Sequence, residues 1–326
     1  MTQKLLITGG AGFIGSVLTS YLLDHGYEVV VVDDLSTGHS KAVDSRASLI
    51  QANILDKPAL IKSLTGVNTV IHCAAKSLVE ESVSKPQLYE QVNTEGTRVL
   101  LEAMSEAKVS NIIFSSTAAV YGDSKIQPIQ ESGEINPVNP YGKSKIEAER
   151  LISTFCSNGF AAITFRYFNV AGSYQSSSGQ LHVEDHKNET HLIPKIIKNY
   201  IENKEKTQVE IYGDSWPTKD GSCIRDYLHV ADLAAAHLLA LDALENGVNK
   251  VFNLGSGTGY SVLEVVNEIE KVVEGKLSKV IAPTRSGDPA VLLADIDRAR
   301  KELGWIPKAN LNQIIFDSWQ GVKQLG

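Results

Sequence analysis

The chain holds three cysteines, Cys73, Cys156 and Cys223, in 326 residues. The number is odd, and no pair has CxxC or metal-ligand spacing. That excludes a disulfide scaffold and a zinc-ribbon module, and leaves buried free thiols in a reducing compartment as the reading. No apolar run approaches the roughly 20 residues of a membrane span. Lys4-Leu5-Leu6-Ile7 runs straight into a glycine loop without the charged-then-apolar pattern of a leader. A cytoplasmic protein with no membrane partner is therefore expected. Basic residues are not gathered into runs, and the net charge is −7. A nucleic-acid partner is not expected, although local arginines can still serve an anionic ligand. Internal repeats and low-complexity tracts are also lacking.

What is present is a chain with 43% hydrophobic residues, long enough for two lobes. Short apolar runs at Lys4–Thr8, Glu28–Val32, Leu49–Ala52, Thr69–Ala74, Asn111–Ser116 and Ala161–Tyr167 read as strands. Helical periods lie between them at Phe13–His25, Pro86–Ala107 and Pro140–Asn158. Continuous apolar strands alternating with helices predict a doubly wound parallel α/β sheet of the Rossmann type. This domain is expected over residues 1–170 and is rejoined around 225–255, with a smaller mixed α/β lobe over 171–326. Within the latter, Gly172–Glu189 is polar and reads as a loop. Leu192–Asn203, Val230–Leu244 and Leu311–Lys323 read as helices, and Val209–Tyr212 and Lys250–Leu254 as strands. Ser261 with Glu264 forms a capping box that opens a helix through Val273.

Gly9, Gly12 and Gly15 fall between the first strand and the first helix. A phosphate needs backbone N–H groups aimed at it and no Cβ in the way. Gly9 suits the tight turn, Gly12 the approach of a pyrophosphate, and Gly15 close packing of helix on strand. Asp33 ends the second strand, where a carboxylate binds ribose hydroxyls and repels a 2′-phosphate, predicting NAD over NADP. Tyr141 and Lys145 share a helix face near its start, with Pro140 ahead of them. A free phenol ionises near ~10, and a neighbouring ammonium is expected to lower that value and make Tyr141 a proton acceptor. Ser115-Ser116-Thr117 closes a buried strand at the edge where such sheets bind ligands, so Thr117 is the candidate hydroxyl beside Tyr141.

The G-x-x-G-x-x-G spacing, joined to Tyr-x-x-x-Lys, resembles the extended short-chain dehydrogenase/reductase superfamily. Ala118 and Ala119 stand where related dehydratases and decarboxylases carry acidic residues, which points to hydride transfers alone. Arg166-Tyr167-Phe168-Asn169-Val170-Ala171-Gly172, His191-Leu192-Ile193-Pro194, Asp220 to Val230, Asn253 to Gly257 and Arg285-Ser286-Gly287-Asp288-Pro289 resemble the UDP-glucose 4-epimerase family over nearly the whole chain. The resemblance implies an enzyme that interconverts UDP-glucose and UDP-galactose through a transient 4-keto sugar, with bound NAD taking and returning the hydride. By position it implies Tyr141, Lys145 and Thr117 as catalytic. It places Gly9, Gly12, Phe13, Ile14, Gly15, Asp33, Asn53, Ile54, Cys73, Ala74, Asn93, Tyr141, Lys145 and Tyr167 at NAD. It places Thr117, Asn169, His191, Leu192, Arg225, Arg285, Asp288 and Leu292 at the UDP-hexose.

Departures from the family's pattern are Asn53 for a frequent Asp, Asp34 for Asn, Ser77 for a lysine beside Lys76, and His191 for Asn. Leu292, at a wall of the sugar pocket, is intermediate between a bulky tyrosine and a small residue, and leans to the non-acetylated sugars. An epimerase of UDP-N-acetylglucosamine or UDP-glucuronate, and a non-catalytic NAD-binding protein, stay open as alternatives. His182 and His186 beside Glu184 and Asp185 have metal-like spacing, but a polar loop favours a solvated surface, so no metal is expected. His229 is expected to be structural. Pairing of the 86–107 and 140–158 helices across a two-fold axis is expected to give a homodimer, as in the family.

Overall fold

A computed structural model of the chain describes residues 3–186, 189–244, 247–285 and 288–325. Chain order begins β1 (Lys4–Thr8), α1 (Phe13–Asp24), β2 (Glu28–Asp33), β3 (Ser48–Gln51), α2 (Lys57–Ser63) and β4 (Thr69–His72). It continues through α3 (Val79–Ser84), α4 (Pro86–Tyr89), α5 (Gly96–Ala107), β5 (Asn111–Thr117), α6 (Pro140–Cys156) and β6 (Ala161–Tyr167). Next come β7 (Asn169–Ala171), β8 (Ser173–Gln175), β9 (Leu181–Val183), α7 (Leu192–Asn203), β10 (Gln208–Tyr212), β11 (Ile224–His229) and α8 (Val230–Ala243). The chain closes with β12 (Asn249–Leu254), β13 (Gly259–Ser261), α9 (Val262–Val272), β14 (Ser278–Ala282), β15 (Val291–Leu292), α10 (Asp297–Leu303) and α11 (Leu311–Leu325).

Seven parallel strands form the main sheet in the order β3-β2-β1-β4-β5-β6-β12. Side chains alternate across it as the pleat requires. Leu5, Ile7, Val29, Val31, Ile71, Ile113 and Ile163 pack on α1 and α8. Leu6, Val30, Val70, Ile112 and Ala162 pack on the other face against α2, α5 and α6. Burial on both faces explains the unbroken apolar strands of the sequence. The sheet reverses direction of growth at β1, between β2 and β4, and the crevice lies there at the carboxyl ends of the strands.

The second lobe packs α7, α9 and α11 around Ile193, Ile197, Val265, Ile269, Ile314 and Ile315. The predicted capping box is formed: Glu264 N donates to Ser261 Oγ at 3.1 Å, and Ser261 N to Glu264 Oε2 at 2.9 Å. β11 links the lobes. Ile224–Asp226 pair with β13, Ile224 and Arg225 with β15, and Tyr227–His229 with β7.

Two expectations are corrected. The segment read as a loop over 172–189 contains the antiparallel hairpin β8–β9 (Lys187 and Asn188 lie outside the described residues). This hairpin docks on α1, where Tyr174 donates to Asp24 at 2.8 Å. His182 lies 2.7 Å from the Ser20 hydroxyl and is 2% exposed, not solvated. Arg46 forks onto Asp44 at 2.9 and 2.7 Å beneath it. Polar composition here reflects buried groups paired with α1 and its neighbours, which periodicity cannot distinguish from solvent exposure. The helix expected over 86–107 is present and runs unbroken from α4 to α5 through a π-type turn, Glu90–Glu95, that turns Asn93 inward.

Behind the crevice, Arg166 of β6 grips Glu149 of α6 through two bonds, 3.1 and 2.7 Å. Both side chains are less than a tenth exposed. Arg166→Ala is expected to lower the unfolding free energy by about 3–5 kcal/mol, because it strands a buried carboxylate. Urea titration reads this; a loss at the surface-pair level of about 1 kcal/mol or less would refute it.

Candidate active site

The glycine loop follows β1. Gly9 has φ +72, and a Cβ there would lie 2.6 Å from Ala74 N. Gly15 meets its own loop more than the strand: a Cβ would fall 2.2 Å from the Gly9 carbonyl oxygen. A Cβ on Gly12 would meet only the Gly9 carbonyl, at 3.5 Å, so this glycine faces open space. No side chain caps α1 at Gly12, so its first N–H groups and positive dipole end face the crevice. Asp33 accepts from Ala11 N at 2.9 Å and from Leu35 N at 2.8 Å. It therefore fixes the loop while its carboxylate borders the cavity.

Asn139 caps α6 by accepting from Gly142 N at 2.8 Å. Gly142 lets the start of α6 approach the turn after β5: a Cβ there would lie 2.6 Å from Ala119 O. That approach sets Tyr141 beside Thr117, whose hydroxyl also accepts from Ala119 N at 3.1 Å. Burial pushes the pKa of the Tyr141 phenol up, and the hydrogen bond with Thr117 acts the other way. This corrects the expected lowering by Lys145. Lys145 is itself buried, which pulls its ammonium down to about 8, with Cys73 and Glu149 opposing. Its Nζ lies 4.3 Å from the Phe114 ring centroid. In the protein alone, desolvation outweighs the charge effect for both groups.

A buried relay backs the same edge. Tyr167 Oη lies 2.9 Å from Ser115 Oγ and 2.8 Å from His237 Nε2. His237 Nδ1 lies 3.0 Å from the Leu233 carbonyl oxygen, which assigns the proton to Nδ1 and makes Tyr167 the donor to Nε2. Ser115 Oγ also lies 3.1 Å from Cys73 Sγ. Burial pushes the Cys73 thiol up to about 11. His72 bridges Thr8 at 2.7 Å and Thr97 at 3.0 Å.

At the far end, Arg225 donates to the carbonyls of Ile224 and Pro289, both at 2.9 Å, and lies 3.8 Å from Asp288. Arg285 stacks on the Tyr212 ring at 3.7 Å. Leu292 is in register with Arg225 across the β11–β15 pair. His191 stands at the N-cap position of α7 without a side-chain capping bond, Leu192 is the first helical residue, and Asn169 opens β7. Partial burial works against a charge on His191, but the Glu184 and Glu189 carboxylates outweigh it and hold its imidazole up at about 10.

One cavity of about 1770 Å³ runs from the glycine loop, past Thr117, Tyr141 and Lys145, to Arg225 and Arg285. That exceeds the roughly 300–1,000 Å³ of a single small-molecule pocket and suits two large ligands end to end. Gly9, Gly12, Phe13, Ile14, Gly15, Asp33, Ile54, Cys73, Ala74 and Tyr167 line it on the dinucleotide side. Asn169, His191, Leu192, Asp288 and Leu292 line it on the other. Ser286 and Gly287 of the Arg285–Pro289 segment lie outside the described residues.

Two expected lining residues are elsewhere. Asn53 is exposed; its amide nitrogen donates to Asp34 at 3.1 Å and its amide oxygen accepts from Leu55 N, so the amide ties its own turn to the loop after β2. Asn93 is buried behind the wall, where it clamps the Lys76 backbone at 2.8 and 2.9 Å and the Ser144 hydroxyl at 2.9 Å. Sequence reasoning missed Glu149, Ser115, His237 and Tyr212. Glu149 stands four residues beyond Lys145, on the same helix face, and that spacing was the available signal. The others come together only through pairing distant in sequence.

The sequence profile of the NAD dependent epimerase/dehydratase family matches residues 5–255. The UDP-glucose 4-epimerase of Corynebacterium glutamicum is 43% identical over 99% of this chain and 97% of its own. The crystal structure of a UDP-glucose-4-epimerase from Stenotrophomonas maltophila, with bound NAD and formylated UDP-arabinopyranose, superposes with a TM-score of 0.93. It is 33% identical and covers 99% of this chain and 98% of its own. The Bifidobacterium longum UDP-glucose 4-epimerase in complex with NAD+ and UDP gives a TM-score of 0.91 at 35% identity, over 99% and 98% of the two chains.

His72 and His237 are held neutral by burial, at about 3 and about 4 against an ordinary 6.5. The unfolded chain therefore binds protons first as pH falls below 6.5, and stability is expected to drop from there towards pH 5. Each histidine contributes up to about 1.4 kcal/mol per pH unit. His237→Gln should flatten the slope by one such share in urea titrations at several pH values; an unchanged slope would contradict the neutral assignment. With its glycine cradle, its dinucleotide-sized cavity and these relatives, the chain belongs to the NAD dependent epimerase/dehydratase family.

Proposed function

We propose that this chain interconverts UDP-glucose and UDP-galactose through a 4-keto sugar, with NAD held throughout the cycle. The observation that carries the reading is the single cavity: it joins an uncapped glycine cradle to an arginine-bearing pocket across Thr117, Tyr141 and Lys145. The residues fit NAD, because the cradle is closed to a Cβ at Gly9 and Gly15 and Asp33 stands at the end of β2. When bound, NAD accepts and returns a hydride.

The chain's own groups do the rest. As the phenolate, a form that the ammonium of Lys145 favours, Tyr141 takes the proton of the C4 hydroxyl and gives it back when the hydride returns, with Thr117 beside it to pass that proton. Lys145 is poised near 8, so its charge responds to what enters the cavity. Ala118 and Ala119 follow Thr117 and offer no carboxylate for elimination or decarboxylation. Arg225 and Arg285 suit a diphosphate, which anchors the ligand while apolar Leu292 leaves the hexose free to turn. Leu292 is also why the non-acetylated sugars are preferred in this reading.

Purified protein mixed with UDP-galactose, without added NAD, is expected to form UDP-glucose. Tyr141→Phe should cut turnover by about 10²–10⁴-fold. Turnover only with UDP-N-acetylgalactosamine or UDP-glucuronate would replace the substrate, and full activity in Tyr141→Phe would remove the phenol from its role. No helix among the described residues is long and apolar enough to cross a membrane. A cytoplasmic setting and a homodimer through α4–α5 and α6 complete the proposal. Solution scattering should give twice the 35.4 kDa chain mass, and a monomer mass would end the dimer assignment.

A further inference from the structure

The expectation of no metal rested on reading 172–189 as a solvated loop. In the fold, four side chains from its end and from the cap of α7 converge instead. The ligand atoms of Glu184, His186, Glu189 and His191 all lie within 4.8 Å of one another. His191 Nδ1 is 2.8 Å from Glu184 Oε1 and 3.0 Å from Glu189 Oε1. His186 Nδ1 is 3.4 Å from Glu184 Oε1 and 3.3 Å from Glu189 Oε2. A tetrahedral zinc ion with bonds of about 2.0–2.1 Å has ligand-to-ligand edges of roughly 3.3 Å. The four contacts, 2.8 to 3.4 Å, are of that size, so side-chain rotation suffices to gather one donor atom from each residue around an ion.

A second observation points the same way. Both carboxylates are 6% exposed, and Glu184 Oε2 is buried with no hydrogen-bond partner among the described residues. The imidazole Nδ1 groups serve the two buried carboxylates and still leave that oxygen bare, a want that a metal ion displacing the imidazole protons would fill. Lys198 does not complete it, since its Nζ lies 3.2 Å from Asp185 and only 4.0 Å from Glu189. The histidines are 31% and 46% exposed and border the large cavity, so an ion here keeps an open side. We infer that Glu184, His186, Glu189 and His191 form a binding site for a divalent transition-metal ion of the zinc class at the nucleotide-sugar end of the cavity. Two imidazoles with two carboxylates are donors for zinc, cobalt or iron(II) more than for calcium or magnesium. The inference stands on these four residues and not on the epimerase reading.

The test is a Co²⁺ titration of the chelator-treated full chain, followed by the visible absorption of tetrahedral Co²⁺ and by Zn²⁺ competition. One Co²⁺ per chain is expected, displaced by Zn²⁺. His186→Ala and Glu189→Gln should each weaken Zn²⁺ by more than the roughly tenfold that loss of an outer-shell partner costs. Exposed His25→Ala is the control and should leave affinity unchanged. Circular dichroism checks that each variant folds, and if one does not, the other decides. Absence of the Co²⁺ band, or equal Zn²⁺ affinity in parent and both variants, would overturn the inference and leave an ion-pair cluster only.

Discussion

The buried pair between Arg166 and Glu149 is the interaction on which the rest of the site depends. Arg166 Nη1 also reaches the Tyr121 hydroxyl at 2.9 Å and the Glu131 carbonyl at 3.1 Å. Tyr121 in turn donates to Asn253 of β12 at 2.6 Å. Glu149 accepts from Ser116, next to Thr117. One guanidinium thus fastens α6, which carries Tyr141 and Lys145, to three strands of the sheet. A charge pair so deep adds little net stability over apolar packing, but breaking it is costly, and its geometry fixes the register of the helix against the strand.

Desolvation is the second constraint. Tyr141 and Lys145 are buried together, and each is pushed towards its neutral form. A site in that state has stored nothing; it is sensitive. A new charge or dipole within a few ångströms acts in a medium of low polarity and moves both groups further than it would in water. The neutral histidines and the Ser115–Tyr167–His237 relay keep the wall free of competing charge.

The main sheet was legible because strands buried on both faces are written as unbroken apolar runs, and β1 and β6 fall where the pattern put them. The cradle was legible because only glycine suits Gly9 and Gly15. Where reading failed, the cause was pairing across distance. Nothing local in Ser173–Val183 says that its polar groups face Asp24, Asp44 and Ser20 instead of water. Nothing local in Asn93 says that it serves Lys76 and Ser144 from behind the wall, or in Asn53 that its amide is taken up by Asp34 and Leu55. The four-residue step from Lys145 to Glu149 was visible, but its meaning required Arg166, seventeen positions further along and on another element.

β11 runs like a splint through both lobes. Its first half is shared with β13 and β15, its second half with β7, and its last residue, His229, is held 3.1 Å from Asp317 of α11. A strand paired along its length has no point at which to flex. The end that carries Arg225 is therefore continuous with the end paired to β7, which follows β6 of the main sheet after one residue. Such a frame separates two kinds of inherited change: side chains around the far pocket can drift and alter which ligand is gripped, while the spacing between grip and chemistry stays constant.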